Sequence, residues 1–298
     1  MSTTFAPDAD WLDWDHHPTP PTFDVPPGSV DAHCHVFGPG GVFPYAPKRR
    51  YTPSDAPKEQ LFALRDFLGF DRNVIVQATC HGTDNAALVD ALLASRGRAR
   101  GIATISPDVG GEDLVLLNDA GVRGVRFNYV KRLGDIQSDE YYHRIVERIA
   151  PLGWHVVVYF EAADLAERWD FFNQLETTVV VDHMGRPDVA KNPDGPEFAN
   201  FLRLMDENEN VWTKVTCPDR LSVKGPPYDD VVPFARKLVE RYPERVLAGT
   251  DWPHPNLKTH MPNDGTLVDF MGRIATTPEL RQKLLVDNPL SLYWREDA

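Results

Sequence analysis

The chain has 298 residues, 42% hydrophobic and 25% charged, with a formal net charge of −13. That length can bury one barrel-sized core or two ordinary ones, and the acidic balance argues against a nucleic-acid partner or an anionic membrane surface. No apolar run approaches the roughly 20 residues a membrane span needs, and the opening residues lack the basic, apolar, small-residue order of a signal peptide, so a cytoplasmic location is expected. Cys34, Cys80 and Cys217 are odd in number and far apart. They suggest buried free thiols rather than a disulfide framework or a metal knuckle.

Residues 1–28 are rich in Pro, Asp and Thr without an apolar period, which predicts an extended arm carrying exposed His16 and His17. The remainder, 29–298, reads as one domain. Short β-branched runs predict strands at 30–36, 73–79, 100–105, 122–127, 155–160, 178–183, 211–216 and 245–250. Between them, segments such as 58–68, 85–95, 140–149, 163–174, 197–206 and 231–241 repeat apolar residues every three to four positions, and 278–294 reads as a closing helix. Eight such units in about 250 residues predict a single α/β domain, a (β/α)8 barrel of the TIM type. An open doubly wound sheet is the second choice, weakened because no Gly-x-Gly-x-x-Gly follows a strand.

The first strand carries Ser29-Val-Asp-Ala-His-Cys-His-Val-Phe37. A period of two puts His33 and His35 on one face and Ala32, Cys34 and Val36 on the other. Converging imidazoles can hold a metal or polarise a carbonyl. Active sites of such barrels lie at the C-terminal strand ends, and these ends are dense in chemistry. They carry Thr79 to Gly82, Arg126 with Asn128, Lys131 and Arg132, Tyr159 and Glu161, Asp182 to Pro187, Thr216 to Arg220, and Gly249 to Pro255.

His-x-His on the first strand, a histidine ending a later one and Gly249-Thr-Asp-Trp-Pro253 on the last resemble the amidohydrolase superfamily. The fuller set is Asp31-Ala-His-Cys-His-Val-Phe-Gly38, Cys80-His-Gly-Thr-Asp-Asn85, Val125-Arg-Phe-Asn128, Cys217-Pro-Asp-Arg220 and Thr250-Asp-Trp-Pro-His-Pro-Asn256. It is similar to the 2-pyrone-4,6-dicarboxylate lactonases, from about Pro26 to Trp294. The resemblance implies hydrolysis of the lactone ester of 2-pyrone-4,6-dicarboxylate to 4-oxalomesaconate, in bacterial breakdown of lignin-derived aromatics through protocatechuate 4,5-cleavage, without a metal. Metal-dependent relatives add a lysine or histidine on strand four and histidines on strands five and six. Here those strands offer Arg126, Tyr159 and His183. Arginine has no free lone pair and tyrosine titrates near 10, which argues against two metals. One zinc on His33, His35, His183 and Asp251 is the alternative; no cofactor is the expectation.

Arg126, Lys131, Arg132 and Arg220 keep local positive charge against the global sign, and guanidinium forks suit the carboxylates of a small-molecule dicarboxylate lactone. The expected scheme holds one carboxylate on Arg126, Arg132 and Tyr159 and the other on Arg220, Thr79 and Tyr51. His33, His35 and His183 donate to the oxyanion, and Asp251 is the general base. His254 and Glu161 are candidates to support these groups, His81, His143 and His155 are expected to be structural, and 38–58 is either a lid or a packed loop. Alternatives are a zinc-dependent hydrolase of an anionic lactone such as 4-sulfomuconolactone, a sugar lactonase, a zinc-dependent decarboxylase, and an inactive protein that binds small acids. The oligomeric state is not readable from the sequence.

Overall fold

A computed structural model describes residues 5–295. Eight parallel strands run in the order β1 to β8: Val30–Cys34, Arg72–Val76, Ala99–Ala103, Val122–Asn128, His155–Tyr159, Val179–Val181, Val211–Lys214 and Val246–Leu247. Backbone bonds from Ala32 N to Ala248 O (2.9 Å) and Asp251 N to His33 O (2.8 Å) join β8 to β1, so the sheet closes on itself. Helices α1 (Lys58–Leu68), α2 (Ala86–Ala94), α3 (Gly111–Ala120), α4 (Asp139–Ile149), α5 (Leu165–Asn173) and α6 (Pro196–Glu207) follow successive strands. They are completed by α7 (Pro218–Leu221), α8 (Val232–Arg241), α9 (Asp264–Ile274), and the closing run α10 (Pro278–Gln282) and α11 (Asn288–Tyr293), joined by a π-helical turn. No helix among the described residues is long and apolar enough to cross a membrane.

Strand alternation divides the core into two sets. Val30, Ala32, Val74, Val76, Ile102, Val157, Val180 and Leu247 fill the barrel with Tyr293 and Trp294 of the closing segment. Their outward neighbours, among them Ile75, Ala103, Val125, Val156, Val158, Val179 and Val181, pack under the helices. This double burial explains why the strands read as continuous Val runs.

Seven of the eight expected strands overshoot at their C-terminal ends, the exception being the fourth, which runs one residue further to Asn128. Ladder pairing stops before His35, Thr79, His183, Cys217 and Asp251, and three of these adopt left-handed backbone, with φ of 54° at His183, 58° at Cys217 and 67° at Asp251. The apolar runs extend past the last ladder bond, so composition alone placed the ends too far along. The arm contains no helix or strand among its described residues, but it is docked. Asp8 N bonds Thr52 O, Leu12 N bonds Leu257 O, and the backbone N–H groups of Thr22 and Phe23 donate to Asp269 on α9. His16 and His17 on it are exposed. The three cysteines are free and buried.

Candidate active site

Plain alternation on β1 does not account for its two histidines. Val30 and Ala32 face the barrel interior, whereas Cys34 and Val36 face the helices. The phase changes at an irregularity between Asp31 and Cys34, where three steps on β1 span only two on β2. This bulge turns His33 and His35 toward the mouth above an apolar strand, a use of bulges that re-aims side chains. Asp31 braces it by accepting from His33 N (3.2 Å), Thr250 N (3.0 Å) and Thr250 Oγ1 (2.8 Å). Burial pushes its carboxyl up to about 6 against those bonds. Across the seam, Gly249 is required because a Cβ there would meet His33 N at 2.4 Å.

Beneath the mouth lies a charged floor where aliphatic layers usually fill such barrels. Asp182 Oδ2 accepts from Arg126 Nε at 3.0 Å and Nη2 at 2.8 Å. Its Oδ1 is 3.3 Å from Lys214 Nζ and 3.2 Å from His33 Nδ1. Burial would raise the Asp182 carboxyl, but Lys214, His33 and Arg126 together hold it well below the usual carboxylate range. His33, Lys214 and Asp182 are fully buried.

Above the floor, Asp251 Oδ1 lies 3.3 Å from both His33 Nε2 and His35 Nε2, and Oδ2 lies 3.4 Å from Arg220 Nε. Burial opposes its ionisation, but contacts with His33 and His35, then His183 and Arg220, hold the carboxyl well below its ordinary value. His35 Nδ1 is 2.8 Å from Val76 O. A carbonyl only accepts, so that nitrogen carries a hydrogen, and Nε2 binds Asp251 only when one proton is shared between them. His183 places Nδ1 at 2.6 Å from Thr216 Oγ1 and Nε2 at 3.8 Å from Cys217 Sγ. Burial keeps both His35 and His183 below the ordinary imidazole value.

The rim is cationic. Tyr159 Oη accepts from Arg186 Nη1 at 2.8 Å and Arg132 Nη2 at 3.3 Å. Guanidinium groups only donate, so the phenol's own hydrogen is not used on either arginine. Arg186 is anchored by Glu161, 2.9 Å from its Nε. Elsewhere on the rim Arg220 Nη2 donates to Pro255 O at 2.6 Å, and Thr79 Oγ1 donates to Tyr51 Oη at 3.3 Å. A narrow pocket is lined by Tyr51, Thr79, Arg126, Arg132, Tyr159 and Arg220 together with the buried His35, His183 and Asp251.

His33 is the expected site residue that does not line this pocket. Its ring is turned between Asp182, Lys214 and Asp251, so the expectation of three histidines donating to one oxyanion is corrected: His33 faces the carboxylates. Arg126 lines the pocket as expected, but its Nε and Nη2 are held by Asp182, which leaves Nη1 for a ligand. His81 caps no helix; its Nε2 accepts from Gly38 N at 3.1 Å and holds the loop after β1. That loop is packed rather than open, with Asp55 Oδ1 accepting from Tyr45 Oη at 2.7 Å and Gly40 N at 2.9 Å. His155 meets Tyr293 edge to face, as His143 meets Phe171, and His254 pairs with Asp264 at 3.0 Å.

Sequence reading missed Lys214, Arg186 and the role of Asp182. Lys214 was detectable: Val211, Thr213 and Val215 occupy the outward positions of β7 in period two, which turns Lys214 inward. Arg186 lay inside the quoted strand end and was passed over.

The donor set fits a zinc centre poorly. The ligand atoms of His33, His35, His183 and Asp251 do not gather as one tetrad among the described residues. They fall into three overlapping triads, His33 with His35 and Asp251, His33 with Asp182 and His183, and His183 with Cys217 and Asp251. Lys214 Nζ sits 2.9 Å from His33 Nδ1 and Arg220 beside Asp251, so positive charge already occupies the neighbourhood a divalent ion would need.

A closed (β/α)8 barrel with a carboxylate, histidines and arginines gathered at its C-terminal mouth defines a barrel enzyme of the hydrolase type. The chain belongs to the amidohydrolase family, whose model matches residues 30–295. Among curated relatives, the 2-pyrone-4,6-dicarboxylate hydrolase of Comamonas testosteroni is 63% identical over 97% of both chains. The 4-sulfomuconolactone hydrolase of Hydrogenophaga intermedia is 39% identical over 93% of this chain and 92% of its own. A solved Pseudomonas putida structure named for 2-pyrone-4,6-dicarboxylic acid hydrolase is 31% identical, with a TM-score of 0.79 over 90% of this chain and 98% of the other.

Proposed function

We propose that this enzyme hydrolyses the lactone ester of 2-pyrone-4,6-dicarboxylate to the ring-opened enol acid that equilibrates with 4-oxalomesaconate, without a metal and with Asp251 as general base. The observation that carries the reading is that one narrow pocket beside Asp251 is lined by two separately anchored guanidinium groups, Arg132 on Tyr159 Oη, which also accepts from Arg186, and Arg220 on Asp251 and Pro255 O. Two separated carboxylates match two separated guanidinium groups. The 63% identical relative that bears this activity in its name supports the same substrate.

One carboxylate binds Arg132, Arg186 and the free Tyr159 hydroxyl hydrogen; the other binds Arg220, with Thr79 and Tyr51 beside it. The ring carbonyl lies against His183 and His35. Asp251 removes a proton from the attacking water, and the His35–Asp251 pair holds that proton until the ring oxygen departs and takes it. A carboxylate held below its usual pKa is a weak base. The chemistry is feasible because the leaving group is an enolate and two electron-withdrawing carboxylates activate the carbonyl. A cytoplasmic location is proposed with this role, supported by three unpaired buried thiols.

The test is loss of pyrone ultraviolet absorbance with chelator-stripped protein whose residual metal is measured. Rapid turnover by metal-free protein is expected. Turnover restored only by zinc, or shown only with 4-sulfomuconolactone, would replace the reading with the zinc-dependent alternative, for which the 39% identical relative is the support.

A further inference from the structure

Lys214 has no part in the scheme above, yet it is a fully buried cation inside the barrel. Its Nζ lies 2.9 Å from His33 Nδ1 and 3.3 Å from Asp182 Oδ1. An ammonium has three donors and no acceptor, so it donates to His33 Nδ1, while Asp182 Oδ1 is its ion-pair partner at 3.3 Å without a hydrogen bond. His33 Nδ1 must then present a lone pair toward Lys214. A neutral imidazole carries its hydrogen on the other nitrogen, and that nitrogen, Nε2, is 3.3 Å from Asp251 Oδ1. A doubly protonated ring is excluded by the same contact, because its Nδ1–H would point at the ammonium. The opposite tautomer, with Nδ1–H on Asp182 Oδ1 at 3.2 Å, would leave Lys214 aimed at a hydrogen and set the Nε2 lone pair against a carboxylate.

We infer that Lys214 is a positioning residue: it fixes His33 as the Nε2–H tautomer, which puts an N–H 3.3 Å from Asp251 Oδ1 without a hydrogen bond between them and removes His33 from the lone pairs a divalent metal could use. In metal-binding barrels a carboxylate on the far ring nitrogen turns the other lone pair toward the ion. Here Asp182 occupies that place, and the lysine beside it reverses the outcome. The inference deepens the metal-free reading of the site and rests on it for its catalytic consequence, but the tautomer itself is measured without substrate.

The experiment is a long-range proton–nitrogen correlation spectrum of the 15N-labelled native protein, with the His33 signals assigned from a His33→Gln spectrum. An unprotonated Nδ1 with a protonated Nε2 is expected; the reverse pattern, or hydrogens on both nitrogens, overturns the inference whether or not the protein is a lactonase. Lys214→Met gives the second arm. With only Asp182 left beside Nδ1, the tautomer should reverse, kcat should fall on the order of 100-fold while KM changes little, as expected when a reacting group is mis-aimed, and zinc should bind more tightly by calorimetry than it does to the native protein. Lys214→Gln, which keeps a donor, should retain the native tautomer. A folded Lys214→Met protein with an unchanged tautomer and unchanged kcat would leave Lys214 as a structural ion-pair partner only.

Discussion

The floor and the rim of the pocket are built on opposite principles. The floor groups, Asp182, Lys214, Arg126 and His33, come from strands or the residue next to them, are buried, and bond chiefly to one another. The rim groups stand beyond the strands, Arg132 and Arg186 on loops and Arg220 on the short α7; they are partly or well exposed, and Arg132 and Arg220 line the pocket. A group whose hydrogen bonds are all spent inside the protein can orient a neighbour but cannot bind substrate, whereas one with donors to spare can. Arg126 and Arg132 make the contrast plainly: they are close in sequence, but only Arg132 keeps most of its fork free.

Asp251 stands where the two regions meet, so its replacement should cost most. Asp251→Asn is expected to lower kcat by about 10³-fold, within the range for loss of a general base, while direct titration shows the pyrone dicarboxylate still bound. Unchanged turnover would transfer the base to another group or return the chain to the class of small-acid binders.

Asp182→Asn tests the floor. It strands Lys214 and Arg126 as buried charges, for which about 3–5 kcal/mol of destabilisation is expected, measured by denaturant unfolding. The same carboxyl sets a pH signature. Its folded pKa lies well below the ordinary value, so its stabilisation is complete above the unfolded pKa of about 3.9 and is lost as pH falls through the folded value. The variant should therefore show a flatter stability profile below about pH 4 than the native protein. Equal acid slopes would mean that Asp182 is not the linked group.

At the rim the effect should fall on binding. Arg186→Met removes the shorter of the two donors to Tyr159 and should raise KM roughly 10-fold or more, the size of a lost charged hydrogen bond, with kcat changed less and stability nearly unchanged. A fall in kcat at constant KM would move Arg186 from substrate holding to the reacting centre and blur the distinction between the two regions.

Much of this was readable in the residues. Val-rich runs alternating with amphipathic segments require an inner sheet wrapped by helices, and that pattern is local. That Arg126, Arg132, Tyr159, Arg220, Tyr51, Thr79, His35, His183 and Asp251 line one pocket was also readable, because strand ends of a barrel converge on one mouth. What sequence could not supply was aim. The bulge in β1 arises from pairing with β2 and from Asp31 bonding Thr250, more than 200 residues away, so alternation described the second half of the strand and failed for the first. The ring of His33 faces Lys214 and Asp182 rather than the pocket only because β1, β6 and β7 meet inside the barrel. Periodicity in one chain segment determines which residues turn inward; which of their atoms touch is decided by the closed sheet, where partners distant in sequence compete for the same lone pairs.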